Sequence, residues 1–193
     1  MATAISTEKL KELRLRTGAG IVDCRNALQQ AGGDLDKAAE ILRAKGLAIA
    51  EKKAARTAGE GLIEAYIHTG GKLGAMVEVN CETDFVARTD EFRRLARDLA
   101  MQVTAAAPQY VTREEIPEKA LEEQRSRIAE ELAGKPAAAV EGRLEKWLGE
   151  VVLLEQPFIK DEHRRIKDVI TEAVARIGEN IQIRRFARFR IGD

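Results

Sequence analysis

Cysteine, histidine, tryptophan and proline are all scarce, at two, two, one and four in 193 residues. Cys24 and Cys81 cannot make a disulfide framework, and His68 and His163 stand far from either in the chain. With no CxxC, no HxxxH and no EF-hand loop, a metal site lacks support, and no cofactor is expected. Gly18 and Gly20 do not form a phosphate-binding loop, because no Lys–Ser/Thr pair follows them. Long apolar runs are absent too. The longest, such as Ala48–Ile49–Ala50 and Val151–Leu154, are far too short to span a bilayer. The opening Met1–Ser6 has neither a basic region nor an apolar core, so no secretory signal is read there. The expectation is a soluble, cytoplasmic protein with no membrane partner. Net charge is also missing: 32 Lys and Arg balance 32 Asp and Glu. A chain built to bind nucleic-acid phosphates normally carries a basic excess, so no direct nucleic-acid partner is expected. A surplus survives only at the start, where residues 1–56 hold eleven basic and seven acidic side chains.

What remains is an ordinary globular composition, 45% apolar and 33% charged. A chain of this length buries roughly 70% of its unfolded surface and needs no staples to fold. The first fifty residues read as three short helices. Ser6 is a plausible N-cap and Ile5 can staple onto Leu10. Thr17–Gly18–Ala19–Gly20 breaks the run, a second helix covers about Ile21 to Gln30, and Asp34 caps a third that Gly46 is expected to stop. Residues 1–50 thus read as a three-helix module and residues 51–59 as a helical or flexible linker. Residues 60–193 read as an α+β core.

In that core the period changes. Ile63, Ala65 and Ile67 alternate with polar residues, Gly70–Gly71 supplies a turn, and Leu73, Ala75, Val77, Val79 and Cys81 alternate again. Two half-buried antiparallel strands follow from this. Thr89 caps a helix with Phe92, Leu95, Leu99 and Val103 on one side. Further helices are expected over Glu118–Ala133, through Val140–Val151 and over residues 163–177. A last strand, Ile181–Ile191, should turn Ile181, Ile183, Ala187, Phe189 and Ile191 inward and Arg184, Arg188 and Arg190 outward. Segregated helices and antiparallel strands make the fold class α+β: a three-helix, ubiquitin-associated-like bundle followed by a three-stranded antiparallel sheet packed with helices.

Two segments exceed generic folding logic: KELRLRTGAGIVDCRN at Lys11–Asn26 and EVNCETDFVARTD at Glu78–Asp90. Together they resemble the elongation factor Ts family, with weaker echoes in Gly134–Lys135–Pro136, in Gln156–Pro157–Phe158 and in GENIQIRR from Gly178. The resemblance implies a guanine-nucleotide exchange factor that binds elongation factor Tu–GDP. It would promote GDP release by disturbing the Mg2+ and phosphate site during translation elongation, without covalent catalysis of its own. It also implies that Thr83, Asp84, Phe85 and Val86 form a wedge against the partner's Mg2+ neighbourhood, Asp84 acting on an adjacent partner helix. Arg14, Ile21 and Val22 match positions that grip a surface helix of the partner. Longer family members carry a second sheet-bearing subdomain and a helical hairpin, whereas this chain keeps one subdomain, so two copies are expected to pair as a homodimer.

The residues alone leave other readings open. Phe85 could close the local core, as many loop phenylalanines do, and Ile21 and Val22 could be core residues of the bundle with Arg14 a solvated charge. Cys24 and Cys81 read as buried free thiols rather than nucleophiles. A non-catalytic adaptor, suggested by the small helical bundle, and an RNA-binding translation protein, suggested by the arginines of the last strand, are the rival functions.

Overall fold

The computed structural model describes residues 5–192. Met1–Ala4, part of the start read above as non-secretory, and Asp193 lie outside the described residues. The fold is α+β, with N-terminal helices followed by a three-stranded antiparallel sheet packed with helices. The chain forms two compact units, Met1–Ala58 with Ile170–Ile181, and Gly59–Val169 with Gln182–Asp193.

The first unit begins with α1 (Thr7–Thr17), α2 (Ile21–Gln30) and α3 (Leu35–Ala54). Ser6 accepts a hydrogen bond from the Lys9 amide at 3.2 Å, and Asp34 accepts from Asp36 and Lys37 at 3.0 and 3.1 Å. These caps satisfy amides that a helix start leaves without partners. Leu13, Cys24, Ala27, Leu28 and Ala38 form the buried core, with Ile5, Leu10, Leu35 and Leu42 packed around it. The expected stop at Gly46 is not observed. Gly46 is buried inside α3, and a β-carbon built on it would touch the Ala175 side chain at 3.6 Å. A glycine buried inside a helix looks, in sequence, like one that ends a helix. The expected module boundary at residue 50 therefore falls within α3, whose last turn covers the start of the expected linker.

The second unit contains β1 (Glu60–Ile67), β2 (Leu73–Cys81), α4 (Asp84–Ala87), α5 (Asp90–Ala106), α6 (Glu118–Glu131) and α7 (Ala137–Val151). After these come a short hairpin, β3 (Pro157–Phe158) with β4 (Asp161–Arg165), then α8 (Ile166–Ile177) and β5 (Gln182–Arg190). The unit boundary falls inside α8, after Val169. The helix expected from residue 163 starts only at Ile166, because His163, Arg164 and Arg165 lie in β4. The Asp168 carboxylate accepts from the Arg165 amide at 3.0 Å and marks the true helix start.

The sheet order is β1-β2-β5, all antiparallel. Its register corrects the expected inward faces. Ile63 pairs with Glu78 and Ala65 with Met76, so odd positions of β1 share a face with even positions of β2. The buried face holds Ala75, Val77, Val79 and Cys81 of β2, and Leu62, Glu64 and Tyr66 of β1 lie opposite them on that side. Arg97 of α5 reaches Glu64 at 3.4 Å and sits 5.8 Å from the Tyr66 ring centroid, which fixes α5 on this face. In β5 a bulge at Arg184 shifts the pairing from Val79–Ile183 to Glu78–Arg185. One extra residue reverses the faces downstream. Arg188, expected outward, donates to the Thr104 carbonyl of α5 at 3.1 Å, while Ala187, Phe189 and Ile191, expected inward, are exposed.

α6 and α7 pack through Ile128, Leu144, Leu148 and Val151, with Ile116 and Val152 completing the cluster. Buried Gln102 ties α5 to the following hairpin. Its amide donates to Gln156 Oε1 and the Pro157 carbonyl, both at 3.1 Å, and its carbonyl accepts from the Ile159 amide at 2.8 Å. Gln156 in turn donates to the carbonyls of Ala106 and Glu150. The Gln156–Pro157–Phe158 segment thus serves the core, where an unmade hydrogen bond is expensive.

Glu155 lies beside Arg165 at 2.6 Å, Arg113 at 3.4 Å and Lys167 at 3.5 Å. Burial pushes its carboxyl up, but the three cations outweigh that and hold it below its ordinary 4.5. A carboxyl depressed in the folded state stabilises above its unfolded pKa, and that stabilisation is lost as pH falls through the folded one. Glu155→Gln is expected to destabilise at neutral pH and to flatten the loss of stability on acidification. Urea melts from neutral pH down to about pH 3 check this. An acid limb as steep as the wild type's would rule it out.

Candidate functional site

The TDFV segment folds as a single-turn helix at the rim of the sheet. Four residues cannot hold a helix by themselves, so the surroundings of α4 do it. Thr83 accepts from the Val86 amide at 3.3 Å, and the buried Cys81 thiol donates to the Thr83 carbonyl at 3.1 Å. Thr89 donates to the Val86 carbonyl at 2.8 Å while capping α5 through the Phe92 amide at 3.3 Å. Val86 and Ala87 are buried beneath the turn. Val86, grouped with Thr83, Asp84 and Phe85 in the sequence, is buried and anchors the turn. Phe85, between Asp84 and Val86, is 76% exposed. Asp84 is also solvent-facing and pairs with Arg88 at 2.6 Å. The arrangement displays one aromatic ring on a short, tightly held pedestal.

The turn between α1 and α2 makes a second display. Gly18 adopts φ +66° and its amide donates to the Arg14 carbonyl at 2.8 Å, a left-handed helix end that glycine adopts without strain. The Thr17 hydroxyl donates to the Leu13 carbonyl at 2.8 Å and accepts from the Ala19 amide at 3.3 Å. Arg14, Ile21 and Val22 all lie on the surface, Val22 at 63% exposure, and none belongs to the bundle core. Leu15, which sequence reasoning passed over, is 88% exposed beside Arg14. Its signal was a leucine off the stripe set by Leu10 and Leu13.

The third feature is the sheet face away from α5. Ile63, Ala65 and Ile67, Met76, and Ala187 and Phe189 form rows across β1, β2 and β5 by their register. Ile67 is 65% and Phe189 70% exposed. The face ends in a 2.6 Å ion pair between Glu78 and Arg185.

The thiols have no such display. Cys24 and Cys81 are in no disulfide and are fully buried, and burial pushes the Cys24 thiol up, away from the thiolate a nucleophile requires. Among the described residues, no three His, Cys, Asp or Glu side chains are grouped to hold a metal ion. No helix there is long and apolar enough to cross a membrane.

The first two displays fall in the two segments whose spacing stands out in the sequence, Lys11–Asn26 and Glu78–Asp90. The family model described as Elongation factor TS matches residues 36–173. Elongation factor Ts of Carboxydothermus hydrogenoformans is 57% identical over 195 residues, covering 98% of this chain and 90% of its own length. Those of Caldanaerobacter subterraneus subsp. tengcongensis and Herpetosiphon aurantiacus are each 54% identical, again over 98% of this chain and 98% and 99% of theirs. With likeness of this strength along nearly its whole length, and with both distinctive segments in place, the chain belongs to the elongation factor Ts family of translation factors.

Proposed function

We propose that the chain is a guanine-nucleotide exchange factor that binds elongation factor Tu–GDP and speeds GDP release. The exposed Phe85 ring on its fixed pedestal is the observation that carries this reading. Exchange needs no covalent step. A factor that binds the nucleotide-free GTPase better than the loaded form weakens nucleotide binding by the same ratio. Release accelerated about 10⁴-fold corresponds to a barrier lowered by roughly 5.5 kcal/mol, which uniform adhesion cannot supply. Contacts must improve as the Mg2+ and phosphate site opens. An aromatic ring carried on a backbone turn that Thr83, Val86 and Cys81 already hold enters such a gap without the cost of ordering the turn. Asp84 stands beside it to meet the adjacent partner helix, and Arg14, Ile21 and Val22 supply the separate grip.

The open sheet face supports a homodimer. A row of aliphatic and aromatic side chains across three strands is a patch that a second copy can cover symmetrically. An RNA-binding role draws less support. Arg185 is paired with Glu78 and Arg188 is bonded to a backbone carbonyl, so two of the four arginines of β5 are engaged within the chain.

The test is displacement of a fluorescent GDP analogue from elongation factor Tu by the intact chain. The expected result is release accelerated by orders of magnitude. Binding without acceleration would instead identify a tethering adaptor, and an affinity that falls steeply with salt would identify an RNA- or charge-driven contact.

A further inference from the structure

The GEN segment at Gly178–Asn180 stood out in the sequence but has no part in the wedge or the grip. In the first unit it closes the end of α3. Asn180, only 4% exposed, donates to the carbonyls of Ala54 at 3.3 Å and Arg56 at 2.7 Å, and the Lys53 ammonium donates to the Gly178 carbonyl. Carbonyls at a helix C-terminus lack partners within the helix, and a side chain more than a hundred residues away provides them here. One turn earlier, Ala175 packs on Gly46 of α3. The segment from Ala175 to Asn180 is therefore fastened to α3 at both ends.

Between those fastenings lies Arg176, and its guanidinium covers Gly18 of the Thr17–Gly20 turn. A β-carbon built on Gly18 would stand 2.8 Å from Arg176 Nη1 and 3.6 Å from its Cδ. Gly18 is held to glycine by its left-handed φ, and a side chain there would in addition have to move the Arg176 tip aside. Arg176 is exposed and adds nothing to the apolar core of Leu13, Cys24 and Leu28. Its guanidinium lies over the left-handed glycine that joins α1 to α2.

Resting on the exchange-factor reading above, we propose that Arg176 is a positioning residue for docking. Clasped by Gly46 and Asn180, it holds the Thr17–Gly20 turn in the conformation that presents Ile21 and Val22 to the partner GTPase. A preorganised turn spares the ordering cost that a mobile one meets on binding.

Two measurements on the full chain test this. The first is the dissociation constant for nucleotide-free elongation factor Tu, alongside the rate of GDP release at saturation. Arg176→Ala is expected to weaken binding by about 3- to 10-fold and to leave the saturating rate as in the wild type, with Arg176→Lys restoring part of the affinity. The second is a thermal double-mutant cycle made without any GTPase. Gly18→Ala should lower the melting temperature more in the wild type than in the Arg176→Ala background, because only the wild type has a guanidinium to displace. Additive melting shifts, unchanged affinity, or a fall confined to the saturating rate each overturn the proposal. Normal binding by the wild type without accelerated release overturns the exchange reading and leaves the positioning role to be decided by the affinities. Absence of wild-type binding overturns both.

Discussion

Replacing Phe85 with alanine is expected to slow GDP release at saturating factor by roughly 30-fold or more, with little change in folding stability. The magnitude follows from the position. An aromatic anchor filling a partner pocket contributes about 2 kcal/mol or more, and each 1.36 kcal/mol is a factor of about ten in rate. The silence in stability follows from exposure: the ring is 76% exposed in the free chain, so its removal leaves no cavity, and such surface changes stay within about 0.5 kcal/mol. The pedestal survives, because Thr83, Val86 and Thr89 make its contacts without the ring. Phe85→Leu should fall between alanine and wild type, since it keeps bulk but loses the flat ring. Stopped-flow release of a fluorescent GDP analogue, with a thermal melt of each variant, makes the comparison. A saturating rate for Phe85→Ala equal to the wild type's, in a chain that melts normally, would remove the wedge from the mechanism.

A charge placed on the open sheet face should have the next largest consequence. Met76 sits in the middle strand of that face, between Ala65 and Ala187 in the paired register. In the single chain it is 47% exposed, so Met76→Lys should fold. If two copies cover each other through this face, the symmetric pairing buries the new ammonium twice per dimer. A buried charge without a partner costs several kcal/mol, and 1.4 kcal/mol is about tenfold. Dimerisation is therefore expected to weaken by more than about 100-fold. Sedimentation equilibrium at micromolar concentrations should find a dimer for the wild type and a monomer for Met76→Lys. A monomeric wild type, or a variant that dimerises equally well, would exclude this face as the seam. The same experiment read against GDP release shows whether exchange requires two copies.

The two predictions rest on different kinds of legibility. Phe85 is legible as a motif: an aromatic residue between a strand end and the Thr89 cap. The sheet face was not found by pattern. Alternation in β1 pointed to an apolar row at Ile63, Ala65 and Ile67, and that row exists, but on the open side. The hairpin loop at residues 68–72 sets the pairing so that odd positions of β1 meet even positions of β2. Two alternating strands with apolar odd positions cannot both turn those positions toward α5. In β5 the bulge at Arg184 had the same effect on Ala187 and Phe189. Neither loop parity nor a bulge leaves a reliable mark in composition.

Local chemistry was carried by the sequence itself. Ser6, Asp34 and Thr89 cap helices where short polar side chains precede helical patterns, and the apolar stripe of α5 is buried as its period requires. These depend on residues within a turn or two of each other, so the information is contiguous. Tertiary structure decided whatever depends on partners far along the chain. Gly46 continues a helix and is buried beneath Ala175, Asn180 completes the end of α3 from 124 and 126 residues away, and Arg176 covers the turn at Gly18. A glycine, an asparagine and an arginine carry no label for such uses. Their roles arise only when folding brings distant backbone within hydrogen-bonding or van der Waals reach.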